Sequence, residues 1–224
     1  MKALSVMKID QLKPLEKVPY FTITGFKQVL GADEADTQRI REMLSRWVKK
    51  RHIIRLKKGI YMTQRFYEQN QSHASFLPAV SSIILPQSYV SLDYVLQRAG
   101  ILTDVTYPIT AVTPKNTRLV ENACGTFVFR HIKLPLYTGF SQDTFFGVIF
   151  HLASVAKALF DYFYLRPLPR GMRTHKINLA GELRLNLGAL SSEVQREFAD
   201  YSELCDSPKM KFIHENLRRI VWQP

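Results

Sequence analysis

The chain has 224 residues and a net charge of +12. That length holds one large domain or two small ones, and an apolar content of 46% excludes a disordered tail. The charge favours a polyanionic partner, and the two cysteines, Cys124 and Cys205, lie far apart outside any CxxC pair, which excludes a disulfide scaffold.

The opening residues carry no long apolar run and no small-residue cleavage site, so no signal peptide is expected. Leu4, Met7, Ile9 and Leu12 predict a short helix over Ala3 to Leu12 that stops before Pro14. Thr24 is placed to cap a helix carrying Phe26, Val29 and Leu30, with Gly31 behind it in a position suited to left-handed φ. Ala32 to Ala35 reads as a turn.

The stretch from Asp36 to Met62 is the most informative. Asp36 and Thr37 are capping types, and Ile40, Met43, Leu44, Trp47 and Val48 form one helical stripe. Ile54 and Leu56, then Ile60 and Met62, alternate with polar residues on either side of Lys57-Lys58-Gly59, the pattern of a β-hairpin. Between Arg39 and Lys58 nine Lys/Arg stand against one acid, Glu42. A polar-faced helix followed by a basic hairpin is the back half of a winged helix-turn-helix, with the helix in the major groove of DNA and the wing on phosphate. Gln38, Arg41 and Ser45 are the expected base readers, since Gln suits adenine and Arg suits guanine. Arg46, Lys49, Lys50, Arg55, Lys57 and Lys58 are expected on phosphate. A solvated basic surface is the plainer alternative.

Residues 1–70 carry a net charge of +8 and residues 71–224 only +4. The polar run Glu68 to His73 is the expected boundary between a DNA-binding domain, 1–70, and a mixed α/β domain, 71–224. The expected fold class is therefore α+β. In the second part Phe76 to Leu85 is an apolar segment, and Ser88 to Ala99 is predicted to be a helix ending at Gly100. Strands are predicted at Tyr107 to Thr113, Arg118 to Glu121, Thr126 to Ile132 and Phe145 to Phe150. Helices are predicted at Ala153 to Leu165, Ser191 to Leu204 and Lys209 to Val221. Phe145 to Leu165 has the length of a membrane span. His151, Lys157 and Asp161 interrupt it, and such charges cost about 3 kcal/mol each at a bilayer centre. A buried strand followed by a core helix fits better, in a soluble, cytoplasmic protein.

Catalytic signatures are missing from the sequence. The six histidines never pair at helical spacing, no His/Cys set has zinc spacing, and there is no phosphate loop or GxSxG. No acid-x-Lys of the nuclease type occurs; Glu182-Leu183-Arg184 comes nearest. No enzyme activity, metal or cofactor is expected. Arg130, His131 and Lys133 at a strand end form either a basic binding patch or a set of side chains satisfying backbone carbonyls. Lys157 and Asp161, four apart on one helix, can pair for a few tenths of a kcal/mol, roughly 0.3, as a site or as a structural tie. Tyr20, Tyr61, Tyr89 and Tyr94 are either base-stacking rings or core residues with a wet hydroxyl.

Several of these segments resemble the AbiEi-type antitoxins, transcriptional repressors of type IV toxin–antitoxin modules that act in abortive phage infection. The resemblance runs over about residues 20 to 205. Leu44 to Tyr61, ending Lys58-Gly59-Ile60-Tyr61, is similar to that family's basic helix and Gly-hydrophobic-Tyr ending. Tyr89-Val90-Ser91-Leu92, Gly100-Ile101-Leu102 and Phe129 to Lys133 follow in the family's order. Ala153 to Asp161 is similar to its Ala-x-Pro-Glu-Lys-Ala-Leu-x-Asp segment, with Val155 and Ala156 where Pro and Glu are usual. The resemblance implies a repressor that binds its own promoter as double-stranded DNA. It also implies a second domain, with Arg130, His131, Lys133, Lys157 and Asp161 as candidates, that opposes a nucleotidyltransferase-like toxin without direct contact. With one reading head, the chain is expected to bind a repeat as two copies, or one site weakly. The rival expectation is a basic interaction protein that binds RNA or an acidic protein through the same surface.

Overall fold

The computed structural model describes residues 9–103, 108–168, 171 and 177–222. The architecture is mixed α+β, with a three-stranded and a six-stranded sheet. A 3₁₀ helix, Ile9–Leu15, opens it and buries Leu12 and Leu15. The expected stop before Pro14 is corrected: proline's fixed φ suits a helical turn, and one missing donor matters little in so short a segment. Residues 1–8 of the predicted first helix lie outside the described residues.

Strand β1 (Phe21–Thr22) leads into helix α1 (Ile23–Leu30). The cap is Thr22 rather than Thr24: its hydroxyl accepts the Gly25 amide at 3.0 Å. Gly31 closes α1 with φ of 60°, as expected for a left-handed cap. A 3₁₀ turn, Glu34–Asp36, then joins helix α2 (Thr37–Lys49). Asp36 holds the N-cap position, but its side chain makes no capping bond. The turn is instead tied by Lys27, whose ammonium meets Glu34 at 2.6 Å and donates to the Thr37 hydroxyl at 3.0 Å. Ile40, Met43, Leu44 and Trp47 are buried with Phe21, Phe26 and Tyr61 in a first core.

Strands β2 (Ile53–Lys57) and β3 (Ile60–Thr63) form the expected hairpin, and β1 adds on the far side of β3. Gly59 takes the positive φ that the turn needs. The simple one-face alternation expected of the hairpin is corrected, because both faces of this sheet are covered. Ile53 and Tyr61 belong to the first core. Ile54, Leu56 and Met62 belong to a second, larger core, together with Phe66 of α3 (Gln64–Asn70). Helix α3, capped by Thr63, occupies part of the polar run Glu68 to His73.

Helix α4 (Phe76–Ile84) is apolar nearly all round and correspondingly buried. The large sheet has the order β6-β7-β5-β4-β9-β8. Its strands are β4 (Tyr89–Val90), β5 (Ile109–Thr113), β6 (Arg118–Asn122), β7 (Gly125–His131), β8 (Phe140–Phe145) and β9 (Val148–Ala153). The β4–β9 and β5–β7 pairs are parallel; the others are antiparallel.

Two expectations are overturned here. The helix predicted over Ser88 to Ala99 shrinks to α5 (Asp93–Arg98), because Tyr89 and Val90 are taken into the centre of the sheet between Val112, Ala111 and Leu152. The strand predicted over Phe145 to Phe150 is a hairpin turning at Phe146 and Gly147, both at positive φ. Tyr107, predicted to open a strand, lies outside the described residues. Helices α6 (Val155–Leu165), α8 (Ser192–Leu204) and α9 (Pro208–Ile220) stand where periodicity places them, and a short α7 (Leu179–Glu182) is added. The membrane-length segment is thus a turn, strand β9 and helix α6. No described helix is long and apolar enough to cross a membrane.

Candidate nucleic-acid interface

Helix α2 presents its polar residues in two rows on either side of its exposed crest. Arg41, Ser45 and Lys49 follow one another at helical spacing, and with Arg55 and Lys58 of the hairpin they line a groove of about 760 Å³. Ile23, Val48, Gly59 and Tyr61 form its apolar parts. Gln38 continues the row one turn earlier, its amide donating to Glu42 at 3.0 Å. No carboxylate lines the groove. Five of the nine expected DNA contacts therefore converge on one concavity.

Arg46 and Lys50 face away from it. They line a second hollow of about 460 Å³ with Arg39, His52, Ile9, Met43 and Trp47. Arg39 and His52 were not expected there, although Arg39 precedes Arg46 by two turns and so shares its face. Lys57 goes elsewhere again. Its ammonium donates to the Ile84 carbonyl at 2.9 Å, across the seam between the hairpin and α4. Burial, then the charges of Arg118 and Lys115, hold its pKa below the ordinary lysine value. Beside it the Asn122 amide donates to the Leu56 carbonyl at 3.1 Å. Nothing local in the sequence announces that Lys115 and Arg118 approach the hairpin.

In the second part of the chain, Arg130 and His131 end β7, beside Val112 and Thr113 of β5. The His131 ring meets the Lys115 carbonyl at 3.1 Å, and its backbone amide donates to the Thr117 hydroxyl at 3.1 Å. Arg130, His131 and Lys133 are all exposed and lie at one end of the strand.

Lys157 and Asp161 are placed differently: both are fully buried, at 0% exposure. They pair directly, and the Lys157 ammonium donates to the Tyr89 hydroxyl at 2.8 Å. Tyr89 and Ser91 donate in turn to Asp161 Oδ2 at 2.9 and 2.7 Å. The rings of Phe160, Tyr89 and Tyr201 lie 5.0, 5.2 and 5.6 Å from the ammonium. Burial lowers the lysine pKa and raises that of the aspartate, and their mutual attraction opposes both shifts. This cluster is sealed, so it can act on a partner only through the shape it holds. Of the four tyrosines considered above, Tyr89 and Tyr61 are core residues.

Among the described residues no group of three His, Cys, Asp or Glu side chains comes together. Cys124 and Cys205 are free, and burial pushes the Cys124 thiol up to about 12, away from thiolate chemistry. The groove between α2 and the hairpin offers what binding a phosphate-lined surface needs: cations with no acid in the lining, Glu42 lying beyond it on Gln38. No protein-family model matches this chain, and no characterised protein matches it in sequence.

Proposed function

We propose that this chain is a DNA-binding transcriptional regulator whose first 70 residues form a winged helix-turn-helix. The carrying observation is the acid-free groove in which Arg41, Ser45 and Lys49 of α2 meet Arg55 and Lys58 of the hairpin. The order of elements supports it: α1, a tight turn, α2 and a hairpin, with β1 outside β3. Helix α2 lies in the major groove with Gln38, Arg41 and Ser45 toward base edges, and Lys49, Arg55 and Lys58 reach one phosphate strand. Arg46 and Lys50, on the other flank, reach the opposite strand. Neutralising about five to eight phosphates gives a salt slope of roughly −5 to −7.

We extend the proposal to an autoregulating antitoxin of a type IV module, on the strength of the resemblance in α2, the hairpin and α6. The second region, 71–224, then carries antitoxin activity against a nucleotidyltransferase-like toxin without touching it. In that reading Arg130, His131 and Lys133 are its surface candidates, and Lys157 and Asp161 hold its fold.

The test is binding to the DNA upstream of the chain's own gene against a scrambled duplex, at about 150 mM salt. Specific binding near 10⁻⁸ M, roughly the scale of regulators, is expected, and neutralisation of the neighbouring gene's product is then the next measurement. Equal, weak binding to both duplexes would overturn the regulator reading. It would leave a basic surface for RNA or an acidic protein.

A further inference from the structure

Behind the hairpin lies a third cavity, a cleft of about 540 Å³, between the first sheet and the larger unit. Tyr20 ahead of β1, Lys57 and Ile60 of the hairpin, Ile83 of α4 and the Phe146-to-Ile149 turn line it. Three of the eight large apolar side chains exposed among the described residues are here: Tyr20 at 38%, Phe146 at 57% and Ile149 at 49%. Phe146 stands at the tip of the β8–β9 hairpin with φ of 47°, a left-handed conformation that a bulky side chain rarely adopts. One edge of its ring rests on Phe66 and Phe145, with centroids 5.1 and 4.8 Å apart. Exposed aromatic anchors of this kind, ringed by aliphatic side chains, are what protein partners bury.

We propose that this cleft docks a protein segment that carries apolar side chains next to a carboxylate. The polar content of the lining selects that chemistry. Ser82, also in the lining, is already satisfied, its hydroxyl donating to the Ile149 carbonyl at 2.7 Å. Lys57 is the only charged residue in the lining, and no described carboxylate pairs with it. Its ammonium has given one bond, to Ile84, and has two more to give. Arg118 and Lys115 repel it from nearby, so an incoming anion relieves a crowded positive site. A phosphate backbone would also satisfy that charge, but it has nothing to place on Tyr20, Phe146 and Ile149. A peptide has both. Lys58 and Gly59 face the basic groove while Lys57 and Ile60 face the cleft, so the docked segment would sit directly behind the proposed wing. The inference does not depend on the DNA reading.

The test pans a random twelve-residue peptide library, displayed on phage, against the full chain. Recovered peptides are then titrated by fluorescence anisotropy. The expected sequences place Asp or Glu beside Phe, Leu, Ile or Trp. Their affinity should fall about tenfold or more for Phe146→Ser/Ile149→Ser and for Lys57→Glu. Tyr20→Ser, in the same lining, reads the same surface should either variant fail to fold. Recovery of no binders, of peptides without acidic residues, or of peptides that bind the variants as tightly as the parent chain would overturn the proposal. Loss of duplex binding in the folded Phe146→Ser/Ile149→Ser variant would also overturn it, by assigning the cleft to nucleic acid.

Discussion

Lys58 and Lys157 are the same chemical group in opposite surroundings. Lys58 stands exposed at the hairpin turn, on the rim of an acid-free groove. Lys157 lies inside the larger unit, closed in by an aspartate, a tyrosine hydroxyl and three rings. The exposed lysine keeps its hydration until a partner displaces water and counterions, so its charge remains available for binding. The buried one lost its hydration when the chain folded, and everything around it compensates for that loss. Charge is therefore left free for a partner in the first region and is taken up by the fold in the second, although both stretches read simply as basic or mixed sequence.

The largest effect expected from this contrast is on stability. Lys157→Met leaves Asp161 buried without its cation and should cost about 3–5 kcal/mol, measured by urea unfolding. The double variant Lys157→Met/Asp161→Leu should recover most of that loss. If the double variant were as unstable as the single one, the ion pair would not be what the site depends on. Next in size is recognition: Arg41→Ala should reduce discrimination between the chain's own upstream DNA and a scrambled duplex by about 1–3 kcal/mol. Circular dichroism should meanwhile show the fold unchanged.

The contrast sharpens within the hairpin itself. Lys58→Ala and Lys49→Ala should each flatten the salt slope of duplex binding by about 1. Lys57→Ala should leave the slope unchanged, because Lys57 lines the cleft behind the hairpin and not the basic groove. Equal effects at Lys57 and Lys58 would break the distinction drawn between them. The smallest effect concerns pH. Burial, and then the Arg218 charge, hold the His214 imidazole below its ordinary value of 6.5. The unfolded chain therefore takes up this proton first as pH falls. The stability involved is fully present above about pH 6.5 and is lost as pH falls through that value toward the folded pKa. His214→Gln should flatten the change in urea midpoint between about pH 7 and pH 5.

What could be read from the sequence was local. The α2 stripe, the Lys58-Gly59 turn and the α8 and α9 helices follow from spacing that neighbouring residues enforce. Arg41, Ser45 and Lys49 could be placed on one face for the same reason. The remainder depended on partners far along the chain. Tyr89 and Val90 look like the first turn of a helix until Ala111 and Leu152 take them into a sheet. An i, i+4 Lys157–Asp161 pair was visible, but Tyr89 and Ser91, about seventy residues earlier, turn it from a weak tie along one helix into a sealed cluster. Lys57 and Lys58 are neighbours of identical type, and only the position of α4 separates their roles. Phe146 hid a turn because a bulky residue at positive φ is not a turn signal.

The small sheet β1-β3-β2, covered on both faces, limits how the chain can be divided. A fragment ending at residue 70 would carry Ile54, Leu56, Met62 and Phe66 without the core that receives them. It would present a sticky plate to its neighbours and tend to self-associate even with every proposed DNA contact intact. Loss of the larger unit's core should therefore unsettle the hairpin even where every proposed DNA contact is still present.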